Sequence, residues 1–229
     1  MLPCAAMESE STLGTESWQR PGPDVCSEGG SWPQQLYAPF KRGADCFLAA
    51  LILVTGSPFW ALIAIGVRVT SPGPVIYRQT RVGRFGRRFV IFKFRTMQQE
   101  AERETGPVWA LDRDPRSTSV GRWLRGIRFD EIPQLWNVLR GDMSLVGPRP
   151  ERPAFVDWLE KEIPGYRDRF VVRPGVSGLA QIHGPHRPTL EGVRHKLAYD
   201  REYIRRFGPL LDLSILLRTL PYVLRSVGR

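Results

Sequence analysis

Asp130-Glu131 is the pair in this chain with the clearest chemical potential. The two acids open the segment DEIPQLWNVLRGDM, in a run otherwise rich in arginine: Arg122, Arg125, Arg128 and Arg140. Acids at a helix start also cap free amides and complement the macrodipole, so a structural role stays open. A carboxylate near several guanidinium groups stays ionised at neutral pH, as a nucleophile or a magnesium ligand must. The same arginines could hold the phosphates of a substrate.

Gly147-Pro148-Arg149-Pro150 follows shortly after. Two prolines fix the backbone around one arginine, which suits a guanidinium that must be held in place. A plain turn uses the same residue types. Lys93-Phe94-Arg95 ends an alternating segment, so Lys93 and Arg95 share one face and Phe94 takes the other. Bases on a solvated strand face are equally ordinary. His183, His186 and His195 are the only histidines. His183-x-x-His186 lies in a Gly/Pro-rich stretch with no acid at ligand spacing, which argues against zinc. Walker, dinucleotide-binding and GxSxG motifs are absent.

The elements that must position these groups are legible in outline. VIYRQTRVGRFGRRFVIFKF alternates around Gly83 and Gly86 and predicts a β-hairpin. Residues 98–118 predict a surface loop with a short helix. Ile132, Leu135, Trp136 and Leu139 fall on one face of a helix, with Pro133 in its first turn and Gly141 as its cap. Pro153 to Glu162 predicts a second helix and 171–187 a Gly/Pro-rich loop. Thr189 to Arg206 and Leu210 to Val227 read as amphipathic helices. The last sets its leucines against Asp212, Arg218 and Arg225. It fits either a membrane interface or ordinary core packing.

One segment is apolar throughout. Phe47 to Val67 carries no charge over 21 residues, about 31 Å if helical and enough to cross a bilayer core. A buried core helix is the alternative, although soluble helices are seldom apolar on every side. Gly56-Ser57-Pro58 interrupts the segment. Lys41 and Arg42 precede it; Arg68, Arg78, Arg81, Arg84, Arg87 and Arg88 follow. A straight span would place one basic flank on the wrong side, so a helix that enters, bends at Ser57-Pro58 and returns is favoured.

The chain has 33 Lys+Arg against 23 Asp+Glu, a net +10. Residues 1–36 hold five acids and one base, which leaves 32 bases and 18 acids, net +14, for the rest. Such a domain needs an anionic partner: nucleic acid, acidic headgroups or phosphorylated small molecules. Residues 1–36 lack the charged and apolar regions of a signal peptide and predict a disordered tail. Three widely spaced cysteines form no disulfide or zinc pattern.

Taken together, KRGADCFLAALILV…SPFW, SPGPVIYRQTRVGRFGRRFVIFKFRTM, DEIPQLWNVLRGDMSLVGPRPERP and RPGVSGLAQIHG…KLAYDREYI…LDLSILLRT resemble the bacterial sugar transferases. These are the monotopic polyprenyl-phosphate phosphoglycosyl transferases. The resemblance runs from about Tyr37 to Val227, so residues 37–229 are expected to form one catalytic domain of minimal form.

The resemblance implies an α+β, mostly helical fold with a re-entrant membrane helix over 47–67, a small β-hairpin and amphipathic interfacial helices. Ser57-Pro58 resembles the membrane helix break. Asp130 resembles the nucleophile and Glu131 the second acid of the dyad, both as metal ligands with Mg2+ as cofactor. Arg125, Lys93, Arg95 and Arg149 resemble phosphate-contacting residues.

The implied reaction moves a phosphosugar from a nucleotide-sugar donor, expected to carry uridine, to a polyprenyl phosphate acceptor. It passes through a phosphosugar-aspartyl intermediate and releases UMP. Membrane lipids are the expected surroundings, at the cytoplasmic face of the inner membrane; nucleic acid is not an expected partner, and homo-oligomerisation stays open. Pro185-His186-Arg187, and Gly126 and Arg128 before the dyad, depart from the usual family pattern and leave substrate identity open. The rival readings are an inactive scaffold of a glycan-assembly complex and a membrane-anchored nucleic-acid binder. The intact acids count against the first. The second is disfavoured by aromatics that sit in apolar runs rather than among bases.

Overall fold

The computed structural model describes residues 32–98, 114–184 and 189–225. The expected loop within 98–118, Pro185-His186-Arg187 and most of the expected tail lie largely outside these residues.

The apolar segment forms the end of α1 (Trp32–Thr55) and most of α2 (Ser57–Thr70). α1 begins within the stretch whose composition predicted a tail. From Leu36 onward the two helices are bent by 66° at a short break. The break falls at Gly56 rather than at Ser57-Pro58, because Ser57 already opens α2 and Pro58 occupies its first turn. Pro58 has no N–H to return to Val54, so α1 cannot run through it, whereas a first turn needs no such donor. Trp60 reinforces the bend. Its indole Nε1 donates to the Ile52 carbonyl at 3.2 Å, an acceptor shared with Gly56 N at 3.1 Å. The indole folds over Gly56 so closely that a Cβ there would lie 2.4 Å from the ring. No single described helix is long and apolar enough to cross a membrane; this bent pair passes on length and composition together.

β1 (Ile76–Val82) and β2 (Arg88–Phe94) form the predicted antiparallel hairpin, in register from Ile76 opposite Phe94 to Val82 opposite Arg88. A 3-10 turn, Arg84–Gly86, joins them, with Phe85 at φ 57°. α3 (Ser119–Gly126) starts at a Thr118 cap whose hydroxyl accepts from Gly121 N. α4 (Gln134–Arg140) ends at Gly141 with φ 93°, the left-handed cap that glycine adopts without strain. Its buried residues are Gln134, Leu135, Asn137 and Val138. Trp136, which the periodicity placed on the core face, is 54% exposed. The reason is Asn137. Its amide donates to Val90 O at 2.7 Å and its carbonyl accepts from Phe92 N at 3.1 Å, which turns that edge of α4 toward β2.

The expected 171–187 loop carries more structure than its Gly/Pro content suggested. β4 (Gly175–Ser177) pairs in parallel with β3 (Ser144–Val146), and α6 (Leu179–His183) follows. α5 (Pro153–Glu162) matches its predicted bounds. α7 (Leu190–Arg206), capped by Thr189, and α8 (Pro209–Arg225) match theirs within about two residues.

Three apolar clusters hold these elements. One gathers Ala49, Ile91, Leu135, Val138, Met143, Leu145, Tyr203 and Ile215. A second joins Val82 to α5 and α7 through Val156, Leu159, Tyr166 and Leu197. A third packs α2 on β2 and α3 through Ile63, Val67, Phe94 and Leu124. A buried polar joint fastens α8 to α1. Asp212 accepts from Tyr37 at 2.8 Å, Lys41 at 2.7 Å and Tyr203 at 2.9 Å. With Asp212 turned inward, Leu210, Leu213 and Leu217 face out, 53–83% exposed.

Candidate active site

Asp130 and Glu131 sit in a 3-10 turn, Phe129–Glu131, between α3 and α4. The predicted helix start is therefore a tighter turn. Arg128 precedes it at φ 56°, a left-handed conformation that costs a non-glycine residue about 1–3 kcal/mol and persists only where surroundings impose it. Phe129 is one such constraint. Its ring makes edge contacts with Phe59, Trp60 and Trp123 at 5.7–6.4 Å between centroids. The turn that carries the acids is thus tied to the bend between α1 and α2.

Glu131 is the anchor of the cluster. Its Oε1 accepts from Lys93 Nζ at 3.0 Å and from Arg149 Nη2 at 2.5 Å; its Oε2 accepts from Arg149 Nη1 at 3.3 Å. Burial alone would raise its pKa, but Arg149 and Lys93 outweigh burial and hold it well below the usual carboxylate range. Asp130 differs. Its carboxylate accepts no hydrogen bond from a described residue. Burial, and then repulsion from Glu131, lift it to about 6 against the opposing pull of Lys93, Arg149 and Arg125. Two adjacent carboxylates therefore have different natures: one is locked and ionised at neutral pH, the other is unencumbered and more basic. Such a group is suited to nucleophilic attack.

Lys93 reaches the dyad from the end of β2, and burial lowers its pKa against the pull of Glu131. Arg149 arrives from the loop after β3. Arg125, in the last turn of α3, donates to Ser117 Oγ at 3.1 Å and lies close enough to act on Asp130. Arg95 does not join them. β2 ends at Phe94, alternation is lost, and the buried Arg95 donates instead to the Ser71 carbonyl at 2.5 Å, beyond the end of α2. Of the histidines, His183 contacts Arg218 at 3.0 Å and stacks on Tyr199, His195 is exposed, and His186 lies outside the described residues.

No group of three or more His, Cys, Asp or Glu side chains suited to a metal occurs among the described residues. Magnesium does not require one. It keeps much of its hydration and is commonly held by one or two carboxylates together with substrate phosphates. The unencumbered Asp130 oxygens fit that donor set. Glu131, also expected as a ligand, already accepts from Lys93 and Arg149 through its two oxygens, so Asp130 is the more open of the two carboxylates.

The sequence reading missed the residues that support Arg149. Pro148 O accepts from Gly175 N at 2.9 Å, Pro150 O from Arg81 Nη1 at 3.1 Å, and Arg149 O from Arg169 Nη2 at 2.9 Å. β3 and β4 approach so closely at this point that a Cβ on Gly175 would meet Gly147 N at 2.1 Å. Arg81 could have been found. In the hairpin register Tyr77 opposes Lys93 and Arg81 opposes Phe89, so Arg81 and Lys93 share a face. Arg169 had no local signal.

Proteins of similar sequence give the chain its family. The bacterial sugar transferase family model matches residues 36–226. The chain is 42% identical over 200 residues to an Aeromonas hydrophila protein, UDP-N-acetylgalactosamine-undecaprenyl-phosphate N-acetylgalactosaminephosphotransferase, covering 87% of this chain and 47% of that one. It is 44% identical over 202 residues to a UDP-glucose:undecaprenyl-phosphate glucose-1-phosphate transferase of Caulobacter vibrioides, covering 86% and 74%. It is 43% identical over 182 residues to the protein of the same name from Escherichia coli, covering 79% and 39%. The chain thus spans about half or less of the length of two of these three relatives. On the match across most of its length, the chain belongs to the bacterial sugar transferase family.

Proposed function

We propose that this chain transfers a sugar 1-phosphate from a UDP-sugar to undecaprenyl phosphate. The observation that carries this reading is the division of labour between the two acids: Glu131 tethers Lys93 and Arg149, and Asp130 is left ionisable and uncommitted beside them. The names of the relatives supply the substrate classes.

In the first step an Asp130 oxygen attacks the phosphorus that bears the sugar. The bond from that phosphorus to the bridging oxygen breaks, UMP leaves with the electron pair, and a phosphosugar-aspartyl enzyme forms. In the second, an oxygen of the lipid phosphate attacks the same phosphorus and expels the Asp130 carboxylate. Two displacements replace one difficult exchange. Lys93, Arg149 and Arg125 stabilise the equatorial oxygens during both. Asp130 would hold Mg2+ together with the diphosphate, and the ion would neutralise charge there when bound. Glu131 keeps Arg149 and Lys93 aimed.

The bent α1–α2 pair is read as a re-entrant insertion at the cytoplasmic face of the inner membrane. Support comes from the basic flanks and from Phe47, Val54, Leu62, Ile65 and Val69, all at least 60% exposed. Leu210, Leu213 and Leu217 of α8 are exposed apolar residues as well, which favours the interfacial reading of this helix. Lipid acceptor and soluble donor would then meet at one boundary.

The test is UMP release from a panel of UDP-sugars with undecaprenyl phosphate and Mg2+. Asp130→Asn should abolish it with membrane association unchanged, and mass spectrometry of wild type quenched with donor alone should find the adduct on Asp130. Near-normal turnover by the variant would refute the assignment. An inactive wild type would favour the scaffold reading, and salt-sensitive DNA binding the nucleic-acid one.

A further inference from the structure

We infer that Arg169, fixed by Asp200, is a positioning residue that sets the direction of Arg149 by holding its carbonyl. The inference rests on the phosphate-binding role proposed for Arg149.

Arg169 lies in the 3-10 turn Tyr166–Val171, and Asp200 is on α7. Both are buried, at 7% and 1% exposure. Arg169 Nη2 donates to Arg149 O at 2.9 Å and lies 2.8 Å from Asp200 Oδ2. The second contact is a charge contact and not an aligned hydrogen bond, since Asp200 Oδ2 has no bonded donor. Arg169 Nη1 donates to Tyr166 Oη at 2.5 Å, and the guanidinium lies over that ring, 5.2 Å from its centroid. A buried guanidinium needs a charged partner, and Asp200 supplies one. What distinguishes this pair from an ordinary brace is the hydrogen bond to Arg149 O.

Arg149 is flanked by prolines, which have no N–H with which to anchor the loop. The loop is therefore gripped by its carbonyls, at Pro148, Arg149 and Pro150. Arg169 holds the middle one. Fixing that oxygen fixes the peptide plane after Arg149 and limits rotation about its ψ. The Arg149 side chain then leaves the backbone in the direction that brings both Nη atoms to Glu131. The position of a substrate-binding guanidinium near Asp130 is decided by a residue that does not contact Asp130 or Glu131.

The experiment is a pair of double-mutant cycles on kcat/KM for UMP release by the full chain. Arg169→Met should lower kcat/KM at least tenfold. In an Arg149→Met background the same change should have less than a twofold effect, because the guanidinium it orients is gone. In an Arg125→Met background the tenfold effect should persist. Asp200→Asn should follow the same pattern more weakly. Multiplicative effects with Arg149→Met, or equal loss of effect in both backgrounds, would overturn the inference. If Arg169→Met does not fold, Arg169→Lys runs the same cycles, since it keeps the charge beside Asp200 but not the fork that reaches two acceptors. Inactive wild type would instead remove the functional reading itself, and this inference with it.

Discussion

Replacing Glu131 by Gln perturbs the centre of the site while preserving its shape. The side chain is 9% exposed and faces two cations, Lys93 at 3.0 Å and Arg149 at 2.5 Å. A neutral amide keeps one acceptor but leaves Lys93, at 17% side-chain exposure, without its counter-charge, while Arg149, at 38%, is partly solvated. Removing one partner of a buried ion pair costs about 3–5 kcal/mol. Glutamine retains part of the hydrogen bonding, so the low end, about 3 kcal/mol, is expected. For a domain of this size that lowers the thermal midpoint by roughly 6–12 °C. The pH dependence gives a second signature. Arg149 and Lys93 overcome burial and depress the Glu131 pKa, so its contribution is complete above the ordinary carboxylate range and is lost as pH falls through the depressed value. The difference between wild type and Glu131→Gln should be widest at neutral pH and should narrow only as pH falls from the ordinary carboxylate range through the depressed Glu131 value. A triple replacement by apolar residues, Lys93→Met, Glu131→Leu and Arg149→Met, should recover most of the stability yet release no UMP. The assay is thermal unfolding of detergent-solubilised protein across pH, alongside UMP release. A Glu131→Gln protein as stable and active as wild type at neutral pH would refute the anchoring role.

Further outcomes follow from other contacts. With the Asp130 pKa lifted by burial and Glu131 to about 6, the proposed nucleophile is protonated below that value. The kcat/KM profile should therefore fall on its acid side near pH 6, and a flat profile to pH 5 would contradict this. Gly56→Ala puts a methyl 2.4 Å from the Trp60 ring, an overpacking of about 1–3 kcal/mol. Activity should drop and be partly restored by adding Trp60→Ala; no restoration would mean the indole does not set the bend. Asn137→Ala strands Val90 O and Phe92 N, at a cost of about 2–3 kcal/mol, and should loosen β2 beside Lys93. Hydrogen exchange of the Phe92 amide measures it directly, and unchanged protection would sink the claim.

The sequence alone determined a good deal. Strand alternation around Gly83 and Gly86 fixes the hairpin, because its period is local. The dyad, the Pro-Arg-Pro loop, α5, α7 and α8 were legible for the same reason: caps, prolines and periodicity act over a few residues. The uncharged segment and its interruption were legible too, to within one residue of Gly56. Tertiary structure decided the rest. Asp130 and Glu131 are neighbours of like chemistry, and only Lys93 and Arg149, 38 and 18 residues from Glu131 in sequence, give them different roles. Trp136 faced outward because Asn137 was needed against β2. Asp212 turned in and the α8 leucines out because Tyr37, Lys41 and Tyr203 offered it three donors. Arg95 left the site where its strand ended, and Arg169 entered its support from another turn. Pattern reports what repeats along the chain, whereas a carboxylate's role depends on which charges folding brings to it from far away.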